Sequence, residues 1–119
     1  MAGTVGYFDI GAKDKDKMSA FYQAVFDWKA TPYGPNSNQM DTQTGEGING
    51  AITALGHEPH NYVMIYMTVD SIEESLEKIR ANGGAAVTGP IDIPGGNARF
   101  AWFKDPEGNM LGLWQQSPN

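Results

Sequence analysis

The order of predicted elements repeats along this chain of 119 residues, and the repeat is the strongest constraint on its fold. A strand, a helix and three further strands are predicted twice in succession. The predicted strands are residues 5–10, 28–33, 39–43, 48–55 and 62–69, one that starts at 85–87, and the two strands of a closing hairpin. The chain is therefore predicted to be one α+β domain, 1–119, of two βαβββ modules at about 4–56 and 62–116.

Helical spacing of apolar residues predicts the first helix. Asp14 or Asp16 can cap its start, and it should end at about Trp28. Its apolar stripe consists of Met18, Phe21, Tyr22, Val25 and Phe26.

The second helix is expected to open at Asp70, because Ser71 and Glu74 have the spacing of a capping box. Its buried stripe consists of Ile72, Leu76 and Ile79. The strand before it alternates, and one face of that strand should pack under a helix. That face consists of Val63, Ile65, Met67 and Val69.

Two aromatic and leucine-rich runs flank the segment DPEG at residues 105–108. Proline presets the backbone for a turn, and glycine at its end can adopt a positive φ. The segment therefore predicts a β-hairpin that closes the second module.

Two motifs resemble those of the vicinal oxygen chelate superfamily, which includes glyoxalase I, bleomycin-resistance proteins and extradiol dioxygenases. The hairpin DPEGN at residues 105–109 is similar to the closing hairpin of that superfamily, and FYQAVFDW at 21–28 is similar to its helix-end signature. The resemblance implies that the modules form a β cup with the helices on its convex face. It also implies a homodimer with a site for a small molecule.

The resemblance places the ligands of the superfamily's metal at Tyr7, at Gly50 or Ala51, at Met64 and at Gly112. Divalent metals prefer imidazole and carboxylate donors, and none of these positions supplies one. We therefore expect neither a metal nor another cofactor. A metal site that uses Asp9 stays open as an alternative.

Strand alternation places an amphipathic and aromatic set of residues on the faces opposite the helices. We expect these residues to bind a small ligand, because such pockets are mainly apolar with a few polar groups. Packing of the cup or of a dimer interface is the alternative. The set consists of Tyr7, Asp9, Tyr62, Met64, Tyr66, Met110 and Trp114, with Trp102 or its neighbours Phe100 and Phe103 from the seventh strand.

Asp9 is the candidate catalytic residue, since a carboxyl group on an apolar face has a raised pKa that suits a general base. Tyr66, Asn49 and Arg99 are predicted to lie nearby. His57 and His60, with Glu58 between them, are interpreted as part of an exposed linker, because Pro59 disfavours the helix that would align them.

Composition limits the functional classes that remain. The formal net charge is −6 and the cations are scattered, which disfavours nucleic-acid binding. The absence of cysteine excludes thiolate ligands and nucleophiles. No long apolar run or leader-like segment is present, so we expect no membrane partner and a cytoplasmic location.

Three functional hypotheses follow from these features. The first is a metal-free protein that binds a small, aromatic or amphipathic molecule in the cup. The second is a lyase, isomerase or dioxygenase that depends on a metal or uses Asp9 as a base. The third is an interaction module without a ligand.

Overall fold

The computed structural model describes residues 3–93 and 95–116, and the chain divides into two compact modules. The first module is Tyr7–Met64, and the second comprises Ile65–Asn119 with Met1–Gly6. Strands β1 and β5 each span a boundary between these ranges.

The first module is a mixed sheet with one helix. Its strands follow the order β2-β3-β4-β1, in which β1 lies parallel to β4 and the other pairs are antiparallel. The parallel register sets Asp9 opposite Ala51. Its elements are β1 (Thr4–Gly11), α1 (Lys15–Phe26), β2 (Lys29–Tyr33), β3 (Ser37–Asp41) and β4 (Gly50–Thr53).

The second module repeats this plan in the order β5-β8-β7-β6, with β5 parallel to β8. Tyr66 lies opposite Gly112 in that register. The predicted α+β class and the βαβββ order of both modules are confirmed. The elements are β5 (Val63–Thr68), α2 (Ile72–Ala81), β6 (Ala85–Ile93), β7 (Ala98–Lys104) and β8 (Met110–Gln116).

Helix α1 covers one face of the first sheet, but it buries less of its apolar stripe than the spacing predicts. Met18 and Tyr22 pack in a cluster with the strand residues Phe8, Ile10 and Ile52. The stripe's three remaining side chains are more than half exposed, namely Phe21 at 54%, Val25 at 54% and Phe26 at 56%.

A polar contact accounts for this difference. Ser19 is the buried residue of α1, and its Oγ accepts a hydrogen bond of 2.8 Å from Nδ2 of the buried Asn38 on β3. Satisfying these two buried polar groups turns the Ser19 side of the helix toward the sheet.

Helix α2 buries its predicted stripe. Ile72 and Leu76 form a cluster with Phe103 and Leu113, and Ile79 packs against it. The preceding strand departs from prediction, because only its C-terminal end is covered. Met67 and Val69 pack against the cluster, whereas Val63 is 76% exposed and Ile65 is 37% exposed.

Local hydrogen bonds determine where the helices begin and how the closing hairpin turns. Asp14 caps α1, and its Oδ1 accepts from the backbone N–H groups of Asp16 and Lys17. Ser71 caps α2, one residue later than the predicted Asp70, because its Oγ accepts from the N–H of Glu74 at 3.2 Å. The closing hairpin is confirmed: the N–H of Gly108, at φ +90°, donates to the carbonyl of Asp105.

Neither helix in the described part of the chain is long and apolar enough to cross a membrane.

Candidate functional site

Each module has a sheet face that its helix does not cover, which we call the helix-free face. In the first module Phe8 and Ile10 pack in the helix cluster, so Tyr7 and Asp9 point to the helix-free face. In the second module Leu111 and Leu113 pack under the helix, so the even-numbered residues of β8 point to the helix-free face.

Asp9 is the centre of a hydrogen-bonded network on the helix-free face of the first module. It is 7% exposed. The Thr53 hydroxyl donates to its Oδ1 at 2.9 Å, and the Tyr62 hydroxyl donates to its Oδ2 at 3.0 Å. Ser37 extends the network, since its Oγ lies 3.0 Å from Thr53 Oγ1. Two side chains that are distant from Asp9 in sequence therefore meet at its carboxyl group, and Ser37 is linked to it through Thr53.

Burial raises the pKa of Asp9 above its ordinary value, and the hydrogen bonds from Thr53 and Tyr62 oppose that rise. The expected raised pKa of this carboxyl group thus has burial as its principal cause. Within the first module its hydrogen-bond partners are Thr53 and Tyr62. The predicted neighbour Tyr66 belongs to the second module.

Gly11 makes room for Tyr62 in this network. A Cβ at Gly11 would overlap the Tyr62 ring and would lie 2.5 Å from the carbonyl oxygen of His60. The backbone N–H of Gly11 also donates to the Tyr62 carbonyl at 2.9 Å. The lack of a side chain at residue 11 lets the ring lie against β1, where its hydroxyl reaches Asp9.

Tyr7 lies beside this network and donates from its hydroxyl to Gln39 Oε1 at 3.1 Å. Burial, with a smaller contribution from the charge of Asp9, raises the pKa of Tyr7 to about 12, although the hydrogen bond to Gln39 lowers it. Tyr7 is therefore a protonated phenol near neutral pH and a poor metal ligand.

The helix-free face of the second module is aromatic. Trp102 Nε1 donates to the Tyr66 hydroxyl at 2.7 Å, and the ring centroids of Trp102 and Phe100 are 6.5 Å apart. Trp114 lies opposite Phe100 in the β7/β8 register, and Met110 begins the same face of β8. The prediction for Phe103 is wrong: its position, next to Trp102 on an alternating strand, places it in the helix cluster.

The positions that correspond to the superfamily's metal ligands offer few donors. Ile52 packs under α1, so alternation places Ala51 rather than Gly50 on the helix-free face. Met64 is buried, with 3% exposed. A Cβ at Gly112 would overlap the Tyr66 ring, so Tyr66 occupies the space that a side chain at residue 112 needs.

Two residues that were predicted to lie near Asp9, Asn49 and Arg99, make hydrogen bonds or ion pairs with other residues. Asn49 is exposed, and its Oδ1 accepts from the N–H of Thr42 at 2.9 Å. Arg99 alternates with Phe100 and therefore lies on the helix side, where it pairs with Glu73 and Asp92 at 2.9 and 3.2 Å. Asn49 therefore contacts its own loop rather than the Asp9 network, and Arg99 belongs to the second module.

His57 and His60 lie in the segment before β5. His57 is exposed and its Nδ1 contacts the Glu58 carbonyl at 2.9 Å, while His60 Nδ1 is buried and has no hydrogen-bond partner among the described residues. Within residues 3–93 and 95–116, no three His, Asp or Glu side chains group closely enough to hold one metal ion.

Sequence reasoning missed Thr53 and Ser37 as members of the network, and it missed Gln39 as the partner of Tyr7. Strand alternation in β4 could have predicted Thr53, because Thr53 lies two residues after Ala51 and therefore on the same face. Ser37 and Gln39 follow from the β3/β4 register, in which they lie opposite Thr53 and Ala51. That register depends on how the strands pair, which a single sequence does not specify.

A cavity of about 240 Å³ lies elsewhere, on the helix side of the second module. Ile79, Phe103 and Pro106 are among its lining residues. Its volume is below the range of roughly 300–1,000 Å³ that small-molecule pockets usually have. We therefore take the helix-free faces, rather than this cavity, as the candidate site.

Comparisons with known proteins agree with this fold. A protein of Didymella fabae named glyoxylase-like domain-containing protein is 27% identical, over 90% of this chain and 89% of that protein. A probable lactoylglutathione lyase of Vibrio cholerae is 30% identical, over 86% of this chain and 83% of that protein. Two mycobacterial relatives, 25% identical, are longer, and the chain covers 45% of each.

The solved structure of methylmalonyl-CoA epimerase from Mycobacterium tuberculosis is similar in fold, with a TM-score of 0.74 and 13% identity over 98% of this chain and 89% of that one. The family model for the Glyoxalase/Bleomycin resistance protein/Dioxygenase superfamily matches residues 4–113. With that match over nearly its whole length, the chain belongs to the Glyoxalase/Bleomycin resistance protein/Dioxygenase superfamily.

Proposed function

We propose that this chain binds a small, aromatic or amphipathic molecule and that it does so without the metal that many members of its superfamily use. The observation that carries the proposal is the chemistry of the positions that correspond to metal ligands. Tyr7 offers a phenol, Ala51 a methyl group and Met64 a thioether. Gly112 has no side chain.

None of these groups fits a zinc, nickel, iron or manganese ion. The Tyr7 phenol stays protonated, because its pKa is about 12. A thioether prefers soft metals. The space at Gly112 is filled by the ring of Tyr66, so even a substituted carboxylate has no room there.

The aromatic face of the second module supports an aromatic or amphipathic ligand. Tyr66, Trp102 and Trp114 combine flat apolar surface with polar hydroxyl or N–H groups. Met110 adds an adaptable contact at the same face. These are the residues of the second module that we propose for ligand binding. In the first module we propose Tyr7, Asp9 and Met64. We also propose that the protein works as a homodimer, as the family resemblance implies.

A second candidate function is metal-free proton transfer by Asp9, and its buried carboxyl group with a raised pKa favours it. The names of the relatives include lyase and glyoxylase activities. In such a reaction Asp9 would take a proton from a bound substrate, and Tyr62 would hold the carboxylate in place. Asp9→Asn would then abolish turnover, whereas turnover that survives in Asp9→Asn would exclude this candidate.

Elemental analysis tests the metal-free part of the proposal. The untagged protein is incubated with nickel, zinc, iron and manganese salts and then desalted. We expect much less than one metal per chain to be retained. Retention of about one metal per chain, lost in Asp9→Ala, would instead indicate a metal site that uses Asp9.

A further inference from the structure

We propose that Asp9 receives the protonated amine of the ligand, so that the natural ligand is an aromatic or apolar molecule with a terminal ammonium group. This inference rests on the proposed function and names the ligand class for the same site. It follows from the Asp9 network of the first module, in which a buried carboxyl group has neutral partners.

The partners of Asp9 favour its charged form without neutralising it. Thr53 and Tyr62 each donate a hydroxyl hydrogen bond to it, one to each carboxylate oxygen. A carboxylate offers about four lone-pair positions, so roughly half remain for another donor. A buried charge is costly unless it is paired, which makes an incoming cation favourable.

The lysines of the first module do not supply that cation. Lys15 pairs with Asp16 at the start of α1, at 3.0 Å. Lys29 lies on β2, three strands away from β1 in the sheet order, or about 14 Å at the usual strand spacing. Lys13 and Lys17 are exposed beside the helix cap. None of the ion pairs of residues 3–93 and 95–116 involves Asp9.

The surroundings of Asp9 also limit the shape of the cation. Asp9 is 7% exposed, so a slender terminal ammonium can reach it more easily than a bulky cationic group. The aromatic rings of Tyr7 and Tyr62 lie on the same face, and tyrosine rings attract cations through their π faces. The net charge of −6 further favours the approach of a cation over that of an anion.

Three matched probes test this inference on the full chain: phenethylamine, phenethyl alcohol and hydrocinnamate. They share a phenyl ring and a two-carbon stem, and they end in a cation, a neutral hydroxyl group and an anion. Binding is measured by saturation-transfer NMR and calorimetry at neutral pH. We expect the amine to bind about tenfold or more tightly than the alcohol, as charge-assisted hydrogen bonds are about twice as strong as neutral ones.

Asp9→Asn should remove the preference for the amine, so that the amine and the alcohol bind this variant with similar affinity. Glu46→Gln is the matched control, because it removes one negative charge from an exposed loop of the same module. It should leave the preference for the amine intact. The backbone amide resonances of Asp9 and Tyr62 in the unsubstituted protein should shift with the amine, which locates the site without any variant.

Equal binding of the alcohol and the amine, or a preference that survives in Asp9→Asn, would overturn the inference and leave the proposed function standing. The inference would also be wrong if the amine fails to bind while other aromatic compounds bind. If no compound of a broad aromatic set binds, the proposed function and the inference both fail.

Discussion

Two glycines allow tyrosine rings to lie directly against the sheet strands at the candidate site. Gly11 accommodates the ring of Tyr62, and Gly112 accommodates that of Tyr66. At Gly112 a side chain and the Tyr66 ring would need the same space, so a carboxylate at this position would displace the ring.

Gly112→Ala should lower the free energy of unfolding by about 1–3 kcal/mol, because the added methyl group overlaps the ring of Tyr66. Urea denaturation followed by circular dichroism measures the loss. Gly3→Ala is the control, because a Cβ at Gly3 would make ordinary van der Waals contacts only. Equal stabilities of the two variants would contradict the crowding at Gly112.

Asp9 should make stability depend on pH in a specific direction. Its pKa in the folded protein is raised by burial, so the folded state holds the proton more tightly than the unfolded state. The stability that the protonated Asp9 adds to the folded protein is therefore fully present below the ordinary aspartate pKa. It is lost as the pH rises through the raised pKa of the folded state. The stability of Asp9→Asn relative to the unsubstituted protein should rise over that window in urea titrations. A difference that falls with pH would contradict the raised pKa.

At the residue scale, strand alternation predicts which side chains share the helix-free faces, as for Tyr7 and Trp102. It cannot identify their partners. The sequence offers Tyr62 and Tyr66 as equivalent members of one alternating face, but Gly11 lies against Tyr62 and Gly112 against Tyr66. That distinction depends on which strands are neighbours.

Among the secondary-structure elements, helix α1 depends on its first turn. Its apolar stripe is largely exposed, so capping has a greater share in its stability. Asp14→Ala removes the acceptor for two backbone N–H groups and should reduce the free energy of unfolding by about 1 kcal/mol. Lys13→Ala, just outside the helix, should change it much less. Equal effects in thermal or urea unfolding would contradict the assignment of the cap.

The closing hairpin depends on a left-handed residue at Gly108, with φ +90°. Gly108→Ala should destabilise the protein by about 1 kcal/mol, because a Cβ disfavours that conformation. Gly108→Asn should cost less, since asparagine tolerates a positive φ better than alanine does. If alanine and asparagine have the same small effect on urea unfolding, the turn does not require this conformation.

Element order was predictable because each segment carries its own signal, such as the proline and glycine of residues 105–108. Burial of α1 was less predictable. Spacing identifies an apolar stripe, but a buried polar pair, Ser19 and Asn38, decides which side of the helix packs against the sheet. This hydrogen bond joins a helix residue to a strand residue that is distant in sequence. The local pattern of apolar residues therefore cannot predict it.

At the scale of the whole molecule, the repeated βαβββ order made the fold recognisable, and the family match over residues 4–113 agrees with it. The cup that the resemblance implies stays a prediction.

The homodimer is also a prediction, and sedimentation equilibrium tests it directly. We expect a mass near twice that of the 12.9 kDa chain at micromolar concentration, whereas a mass of one chain at every concentration would contradict the proposal.

The central claim is that the chain binds an aromatic or amphipathic molecule without a metal. The most direct measurement is a fluorescence titration of the chelator-treated protein with a broad set of aromatic compounds, since Trp102 and Trp114 lie at the proposed site. We predict a saturable change for some compounds, unaltered when zinc or nickel is added. Binding that appears only after metal is restored, or no binding in any condition, would contradict the claim.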